Sequence, residues 1–322
     1  METLFIARDV KMTQRDKTLQ LRAGKKKQSI PIEKVRHLVV LHEGTLTTKL
    51  LTLCGHHGVR VSIFDYYGYF KGTFEPIDRN PAGRIKLLQA AHILDNEKRM
   101  VLAREFVASA IFNMRGNLAY YLYRGCQSLK PTIEQLEVLY SEVAQCQTVE
   151  QLMGFEGQAH QFYYQSWGAI DPRLDFGKRV RRPPNNPINC LISFLNQLVY
   201  SVVKHELFKT HLDDSLSFLH AVSSGRASLS LDVAEPFKPV LSHSLIFRLV
   251  RRNEYTNEWF EQKEGVCLLT ELGRTEVSKR FSDRLEEVLL GRSFRAWVYK
   301  EGLAIERHLL GMDTYKAFRR KR

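Results

Sequence analysis

The spacing of apolar residues changes near residue 75, and this change limits the fold more than any other feature of the sequence. Up to that point, short segments alternate apolar with polar residues or are rich in β-branched ones, which is typical of strands. Beyond it, apolar residues recur every three or four positions, which indicates amphipathic helices. A chain in which strands precede helices keeps the two kinds of element apart. We therefore predict an α+β fold with a β-rich first domain and a larger helical second one.

Turn residues divide both regions into short elements. In the first region, strands are predicted at residues 3–6, 19–21, 28–32, 37–41, 59–64 and 69–74, with a helix at 45–56. In the second region, helices are predicted at residues 85–122, 132–168, 186–210, 234–252, 269–290 and 293–310.

Two prolines, Pro76 and Pro81, lie among polar residues between the regions and indicate a linker. We therefore predict an N-terminal β-rich domain at residues 1–75, a linker at 76–84 and a helical domain at 85–322. The last four residues, which follow Phe318, are all basic. We interpret them as a basic C-terminal tail that need not be ordered.

Charge and cysteine usage limit the partners and the compartment. The chain has 48 Lys and Arg against 35 Asp and Glu, a formal net charge of +13, which favours binding to a polyanion. Its five cysteines include no C-x-x-C pair, which argues against a disulfide framework or a thiolate zinc site. The N-terminus has no apolar segment typical of a secretory signal, and the apolar stretch at 191–203 is shorter than the roughly 20 residues of a membrane helix. We predict a cytoplasmic protein with no membrane partner.

The candidate site consists of Glu156, His220, Asp232 and Glu235. Carboxylate oxygens and a neutral imidazole can hold a hard divalent cation such as Mg²⁺ or Mn²⁺ and leave positions open for water and phosphate. Each residue also has a structural explanation. Glu156 lies among apolar residues and could form a salt bridge, His220 could be a structural histidine, and acids are favoured in a first helical turn.

One further histidine is a candidate for the site. His160 lies four residues after Glu156 and on the same helix face, so a Glu-x-x-x-His metal pair is conceivable. We interpret His160 instead as an ordinary helix-surface residue. No P-loop, zinc-protease or G-x-S-x-G pattern is present.

Basic residues are dense around the acids, as expected either for a solvated loop or for contacts with phosphates. Three aromatic residues, Tyr163, Tyr164 and Trp167, could stack on bases or belong to the core. The candidate DNA-binding residues are Arg84, Lys178, Arg181, Arg182, Arg226 and Lys238.

Several segments, taken in order, resemble the CRISPR-associated integrase and endonuclease family, the larger subunit of the Cas spacer-acquisition complex. The segments that carry the resemblance are Gly58–Asp65 with Gly68, Arg84 with Gln89, Ala103-Arg104 leading to Asn113, Gly154–Gly157, Arg181–Pro184 with Asn185–Asn189, Phe218–His220, Ser228–Pro239, Leu269–Arg274 and Arg307–Gly311. Together they span nearly the whole chain.

The resemblance implies a small N-terminal β-sandwich followed by an all-α catalytic domain. It implies Glu156, His220 and Glu235 as ligands of Mg²⁺ or Mn²⁺, with Asp232 in a supporting or DNA-facing role. Where many relatives carry a basic residue shortly before Asn113, this chain has Ala110-Ile-Phe and departs from the family pattern.

The activity implied is transesterification, in which a protospacer 3′-hydroxyl attacks a phosphodiester of the CRISPR repeat. With water as the nucleophile, the same site would nick branched DNA. The implied partners are double-stranded and branched DNA, a second copy in a homodimer, and a small ferredoxin-like CRISPR adaptation protein that forms a heterocomplex. Two alternatives stay open: a noncatalytic basic DNA-binding scaffold and a stand-alone structure-specific nuclease.

Overall fold

The computed structural model describes residues 2–77, 82–222 and 227–320. The chain forms two compact units. The first comprises Met1–Pro81, Pro183–Gln197 and Thr256–Asp283, and the second comprises Ala82–Arg182, Leu198–Tyr255 and Arg284–Arg322. A strand-rich N-terminal region precedes a mostly helical one, so the predicted α+β class is confirmed.

The N-terminal strands form two four-stranded sheets. One sheet has the order β1-β5-β7-β8 and the other has the order β4-β3-β2-β6. Apolar side chains from both sheets belong to one core, which makes this region a β-sandwich. The strands are β1 Glu2–Ile6, β2 Lys11–Arg15, β3 Thr18–Ala23, β4 Lys26–Pro31, β5 Val35–Val40, β6 Thr45–Leu46, β7 Arg60–Phe64 and β8 Phe70–Phe74.

The degree of burial explains which strands could be predicted from the sequence. Strand β5 is central, and five of its six residues are buried, as its run of apolar residues predicts. Strand β2 was not predicted, because Met12 is its one buried residue and the other four residues are polar. The predicted helix at 45–56 is shorter in the structure, because Thr45 and Leu46 pair with β2 as strand β6.

The helices of the described residues begin with α1, which covers the β-sandwich core with Leu50 and Cys54. None of these helices combines the length and apolar character that a membrane crossing needs. The helices are α1 Thr48–His56, α2 Gly83–Leu94, α3 Asn96–Tyr123, α4 Lys130–Glu142, α5 Val149–Gln165, α6 Trp167–Ile170, α7 Pro187–Leu207, α8 Leu229–Lys238, α9 Ser244–Arg251, α10 Glu271–Glu286 and α11 Phe294–Leu309. Single 3₁₀ turns lie at Ile32–Lys34, Gln127–Leu129, Val143–Gln145, Pro172–Leu174 and Asn257–Trp259.

Two small hairpins interrupt the region that was expected to be all helical. Strands β9 Phe260–Lys263 and β10 Val266–Leu269 pair antiparallel, as do β11 Val288–Leu289 and β12 Arg292–Ser293. Both hairpins turn on two residues with positive φ, Glu264-Gly265 and Leu290-Gly291. Such turns suit the right-handed twist of paired strands. The helix predicted at 269–290 therefore ends early, at Glu286.

The first unit is not continuous in sequence, in contrast to the predicted boundaries at residues 75 and 85. Residues 183–197 and 256–283 also belong to it. Arg274 Nη1 donates to the Tyr66 carbonyl over 3.0 Å, and the Phe5 and Phe281 rings make an edge contact. These long-range contacts cannot be deduced from local composition. Residues 78–81 of the predicted linker lie outside the described residues.

The C-terminal segment Tyr315–Arg320, here called the C-terminal strap, is ordered rather than a loose tail. Tyr315 and Phe318 are buried, and the Phe318 ring stacks on Phe237 of α8 with 4.8 Å between ring centroids. Ser109 of α3 donates to the Phe318 carbonyl. The interpretation of an unordered extension was therefore wrong up to Arg320, because the strap's aromatic residues are apolar anchors.

The strap also packs on a buried acid. The Tyr315 hydroxyl and the Phe318 amide both donate to Glu301 Oε1 of α11. Burial raises the pKa of Glu301 from 4.5 to about 7.

We predict that stability falls as pH rises from 4.5 to 7, because the folded-state pKa of Glu301 lies above its unfolded value. The contribution of Glu301 to the free energy of unfolding is complete below pH 4.5, where both the folded and the unfolded state are protonated. It is lost once the folded state ionises, and the loss amounts to up to about 3 kcal/mol. Urea unfolding at several pH values measures it. Glu301→Gln should remove this part of the pH dependence, whereas Glu261→Gln, at an exposed position, should retain it. Equal pH dependence in wild type and Glu301→Gln would refute the assignment.

Candidate metal centre

The site lies within the second unit, where α5 and α8 both pack on α3. Helix α5 begins with a capping box formed by Thr148 and Gln151. Its Glu156 and His160 are four residues apart and therefore share one face. Helix α8 contributes Glu235 to the same place, so residues distant in sequence converge there.

Glu156, His160 and Glu235 form a compact cluster. His160 Nε2 lies 3.0 Å from Glu156 Oε1 and 3.7 Å from Glu235 Oε2. One ligand atom from each of the three lies within 4.8 Å of the others. The interpretation of His160 as an ordinary surface residue was therefore wrong, because its side chain is 15% exposed and its Nε2 faces Glu235 of α8 as well as Glu156.

Glu235 is the most buried of the three, with 1% of its side chain exposed. Its Oε1 accepts from Lys238 Nζ, while its buried Oε2 has no hydrogen-bond partner among the described residues. Burial alone would raise the pKa of Glu235, but Lys238 and His160 outweigh it and hold that pKa well below 4.5. Burial lowers the pKa of Lys238, but the neighbouring Glu235 outweighs it and raises that pKa above 10.5. Glu235 is thus an ionised carboxylate whose Oε2 lies 3.7 Å from His160 Nε2 and accepts no hydrogen bond from the described residues.

The two imidazoles beside Tyr164 have opposite electrostatics. Burial lowers the pKa of His160, but Glu156 and Glu235 outweigh it and raise that pKa to about 9. Burial and the neighbouring His160 hold the pKa of His243 well below 6.5. The Tyr164 ring stacks on His160, and burial raises the Tyr164 pKa to about 12. His160 is therefore the imidazole whose pKa is raised by the two carboxylates.

Asp232 has a different role from Glu235, although both lie on α8. Its Oδ2 accepts from the backbone amides of Phe218 and Leu219 over 2.7 and 2.9 Å. Its Oδ1 accepts from the amide and from ring Nδ1 of His220 over 2.9 and 2.8 Å. These four bonds occupy a carboxylate that is fully buried, so Asp232 has neither a vacant acceptor nor a surface for DNA.

The Asp232 contact orients His220. A carboxylate can only accept, so Nδ1 of His220 carries a proton, and Nε2 is the nitrogen that remains available in a neutral ring. Burial lowers the pKa of His220, but the bond to Asp232 outweighs it and raises that pKa. Histidines that bind metals commonly donate their other ring nitrogen to a carboxylate in this way.

Helix α8 is held in place by two asparagines of α3. Asn113 Nδ2 donates to the Pro236 carbonyl and Asn117 Nδ2 donates to the Pro239 carbonyl, each over 2.8 Å. Asn113 Oδ1 also accepts from the amide of Arg320 in the C-terminal strap. Pro239–His243 is π-helical. The spacing of four between the asparagines is visible in the sequence, but the carbonyls that they bind are not.

The candidate DNA-binding residues fall into three groups. Arg84, Lys178, Arg181 and Arg182 are exposed. Lys238 is 7% exposed and paired with Glu235, so it does not belong to the protein surface. Arg226 lies outside the described residues.

The aromatic residues near the site belong mainly to the core. Tyr163 and Trp167 have no exposed surface, which excludes them as stacking platforms for bases. Tyr164 is partly exposed and contacts His243 and Phe176.

The donor set fits a divalent cation. Glu156 and Glu235 both lie beside Nε2 of His160, and the buried Glu235 Oε2 has no hydrogen-bond partner among the described residues. His220 is oriented by Asp232 but does not belong to this three-residue cluster. Oxygen-rich sets with some nitrogen suit Mn²⁺ and, with fewer nitrogens, Mg²⁺.

The chain is similar to known proteins over most of its length. The family model described as CRISPR associated protein Cas1 matches residues 4–283. The chain is 37% identical over 299 residues to the CRISPR-associated endonuclease Cas1 of Fusobacterium nucleatum, covering 91% of this chain and 88% of that protein. It is 34% identical over 325 residues to the CRISPR-associated endonuclease Cas1 2 of Thermodesulfovibrio yellowstonii, covering 98% of each.

Solved structures share the fold. A Cas1 protein from Thermotoga maritima matches with a TM-score of 0.88 and 30% identity, covering 98% of this chain and 100% of that one. A casposase bound to integration product matches with a TM-score of 0.85 and 17% identity, covering 98% and 93%. The second similarity concerns the fold alone.

We predict that Asp232→Asn lowers the free energy of unfolding by about 3 kcal/mol. The asparagine side chain has one acceptor oxygen where the aspartate has two. Its NH₂ group would therefore face buried backbone amides, which would lose their hydrogen-bond acceptor. Urea unfolding measures the loss. Asp95→Asn is the control, since Asp95 caps α3 at a partly exposed position and asparagine caps equally well. Equal stability of the two variants would contradict the structural role of Asp232.

Proposed function

Because the chain belongs to the Cas1 family of CRISPR-associated proteins, we propose that it is a metal-dependent DNA endonuclease and integrase of CRISPR spacer acquisition. Its relatives are named CRISPR-associated endonucleases. The observation that carries the metal-dependent chemistry is the pairing of Glu156 with Glu235, whose buried Oε2 has no hydrogen-bond partner among the described residues.

The proposed ligands are Glu156, His220 and Glu235. Glu156 and Glu235 offer carboxylate oxygens, and His220 offers Nε2 because Asp232 occupies its Nδ1. A bound Mg²⁺ or Mn²⁺ would supply Lewis acidity toward a phosphoryl oxygen and stabilise the charge that develops there. Asp232 acts in this scheme as a positioning residue, since it touches His220 and no reacting atom.

The proposed reaction exchanges one phosphodiester for another. The 3′-oxygen of the protospacer forms a bond to phosphorus and loses its proton, while the bond from phosphorus to the repeat 3′-oxygen breaks and that oxygen gains a proton. No nucleoside triphosphate is required by this balance. With water in place of the 3′-hydroxyl, the same residues would nick branched DNA.

DNA would approach over the exposed basic residues of the second unit. Arg84, Lys178, Arg181 and Arg182 are exposed and suit phosphate contacts, and the chain's net charge of +13 favours a polyanion. Lys238 is too buried to contact a strand that runs over the surface. It would meet only a phosphate that enters the site beside Glu235.

The proposed partners are a second copy of the chain and a small ferredoxin-like adaptation protein, with cytoplasmic DNA as substrate. Structures of similar fold include a complex of Cas6-RT-Cas1 with Cas2 and a complex of Cas1 with DNA. Those assemblies are properties of the neighbours, and they support the partner proposal for this chain.

We expect purified protein with Mn²⁺ to join a DNA duplex with free 3′-hydroxyl ends to a supercoiled plasmid that carries the repeat. Joining should be lost with chelator or with a 3′-dideoxy end. Glu156→Ala, His220→Ala and Glu235→Ala should each lower the joining rate about a hundredfold or more while DNA binding persists. Gel analysis of labelled duplex measures both, with and without the small partner protein.

The matched control is Glu150→Ala, which removes an exposed acid from the same helix. DNA binding without strand chemistry, unchanged by Glu156→Ala, would overturn the catalytic proposal in favour of a scaffold. Cutting that ignores the 3′ end would favour a stand-alone nuclease instead.

Helix α5 has an open face beside Glu156. Gly154 and Gly157 are exposed, and apart from the adjoining backbone of α5 a Cβ at either position would meet no atom of the described residues within 4 Å. Glycine within a helix is destabilising, and the internal packing does not require it here. A close approach by the DNA backbone would explain it.

We therefore predict that Gly157→Ala stabilises the fold by up to about 1 kcal/mol but lowers the joining rate. Thermal unfolding and the joining assay measure the two effects. Gly116→Ala, at another open glycine in a helix, is the control and should stabilise without affecting joining. Unchanged joining by Gly157→Ala would mean that DNA does not approach this face.

A further inference from the structure

His160 stands out among the residues of the site. Its Nε2 faces both proposed carboxylate ligands, whereas the proposed ligand His220 contacts Asp232 through its other nitrogen. His160 therefore offers the proposed metal centre a second imidazole in addition to that of His220.

We propose that His160 is itself a metal ligand and that this second imidazole makes the centre select Mn²⁺ over Mg²⁺. The inference rests on the proposed metal-dependent function and adds a ligand and a metal preference to it.

The distances suit ligands of one octahedral ion. At metal–ligand distances of about 2.1 Å, neighbouring ligand atoms lie roughly 3.0 Å apart and opposite ones about 4.2 Å apart. The separation of His160 Nε2 from Glu156 Oε1 is 3.0 Å, and its separation from Glu235 Oε2 is 3.7 Å. Small side-chain adjustments would bring all three atoms to one ion.

The surroundings of the ring limit its freedom to turn away. Tyr164 stacks on it with 5.3 Å between ring centroids and 26° between planes, and His243 makes an edge contact on another side. The His160 side chain is 15% exposed. Nε2 is thereby kept toward Glu156 and Glu235 before any ion binds.

The ligand count determines the preference. Mg²⁺ favours oxygen ligands and retains several waters, whereas nitrogen donors raise the affinity for first-row transition metals. One imidazole with two carboxylates would suit both ions. Two imidazoles with two carboxylates shift the set toward Mn²⁺.

Metal binding can be measured without any reaction. Isothermal titration with Mn²⁺ and with Mg²⁺ gives the two dissociation constants and their ratio. Electron spin-echo spectroscopy of bound Mn²⁺ counts directly bound imidazoles by their nitrogen modulation. The variants are His160→Ala, His160→Gln, Glu235→Gln and, as the control, His92→Ala, a histidine of similar burial in α2.

We expect His160→Ala to weaken Mn²⁺ binding at least about tenfold with little change for Mg²⁺, and to reduce the modulation from two imidazoles to one. His160→Gln, which offers an oxygen donor, should narrow the Mn²⁺ to Mg²⁺ ratio while retaining binding. His92→Ala should match wild type.

The outcomes separate this inference from the proposed function. Glu235→Gln could abolish metal binding while His160→Ala leaves the ratio of the two dissociation constants and the nitrogen modulation unchanged. That result would overturn the role of His160 and retain the metal centre. Metal binding that survives Glu235→Gln would overturn the metal centre itself. Tighter Mn²⁺ binding by His160→Ala would show that His160 competes with the ion and would also overturn the inference.

Discussion

Burial of the Glu235 carboxylate is the constraint on which the second unit depends. An ionised acid away from water is costly unless counter-charges lie beside it, and removal of one partner leaves the other uncompensated. Lys238 and His160 provide those counter-charges, from the next turn of α8 and from α5. Helices α5 and α8 must therefore keep their places on α3, and the asparagines of α3 hold the backbone around Pro236 and Pro239.

Asp232 and Glu235 lie on the same helix but have different roles, because different groups surround them. Asp232 has all its acceptor positions occupied by the segment that carries His220, whereas Glu235 Oε2 accepts no hydrogen bond from any described residue. The difference is one of satisfied against unsatisfied hydrogen-bonding capacity. It separates a residue that shapes the site from one that can bind a ligand, although the spacing of three residues places both on similar faces.

Much of this could be predicted from the sequence, and the failures share a cause. Periodicity predicted the α+β class and most helices. The resemblance grouped Glu156, His220 and Glu235 as ligands, and the structure places Glu156 and Glu235 in one cluster with His160. Strand β2 was missed because it has one buried residue, and His160 was misjudged because Glu235, which lies beside it, comes from a helix distant in sequence. The ordered C-terminal strap was missed because its partners lie about 200 residues earlier. Each failure concerns a contact that only the tertiary fold creates.

The discontinuity of the first unit also affects how the protein can fold. Two segments, 183–197 and 256–283, complete a unit whose other residues lie before residue 82. Contacts so distant in sequence raise the contact order, which slows folding because long loops must close first. A fragment cut near residue 80 would lack the partners of Tyr66 and Phe5 and would expose apolar surface. Excision of the β-sandwich as an independent module would therefore require grafting rather than truncation.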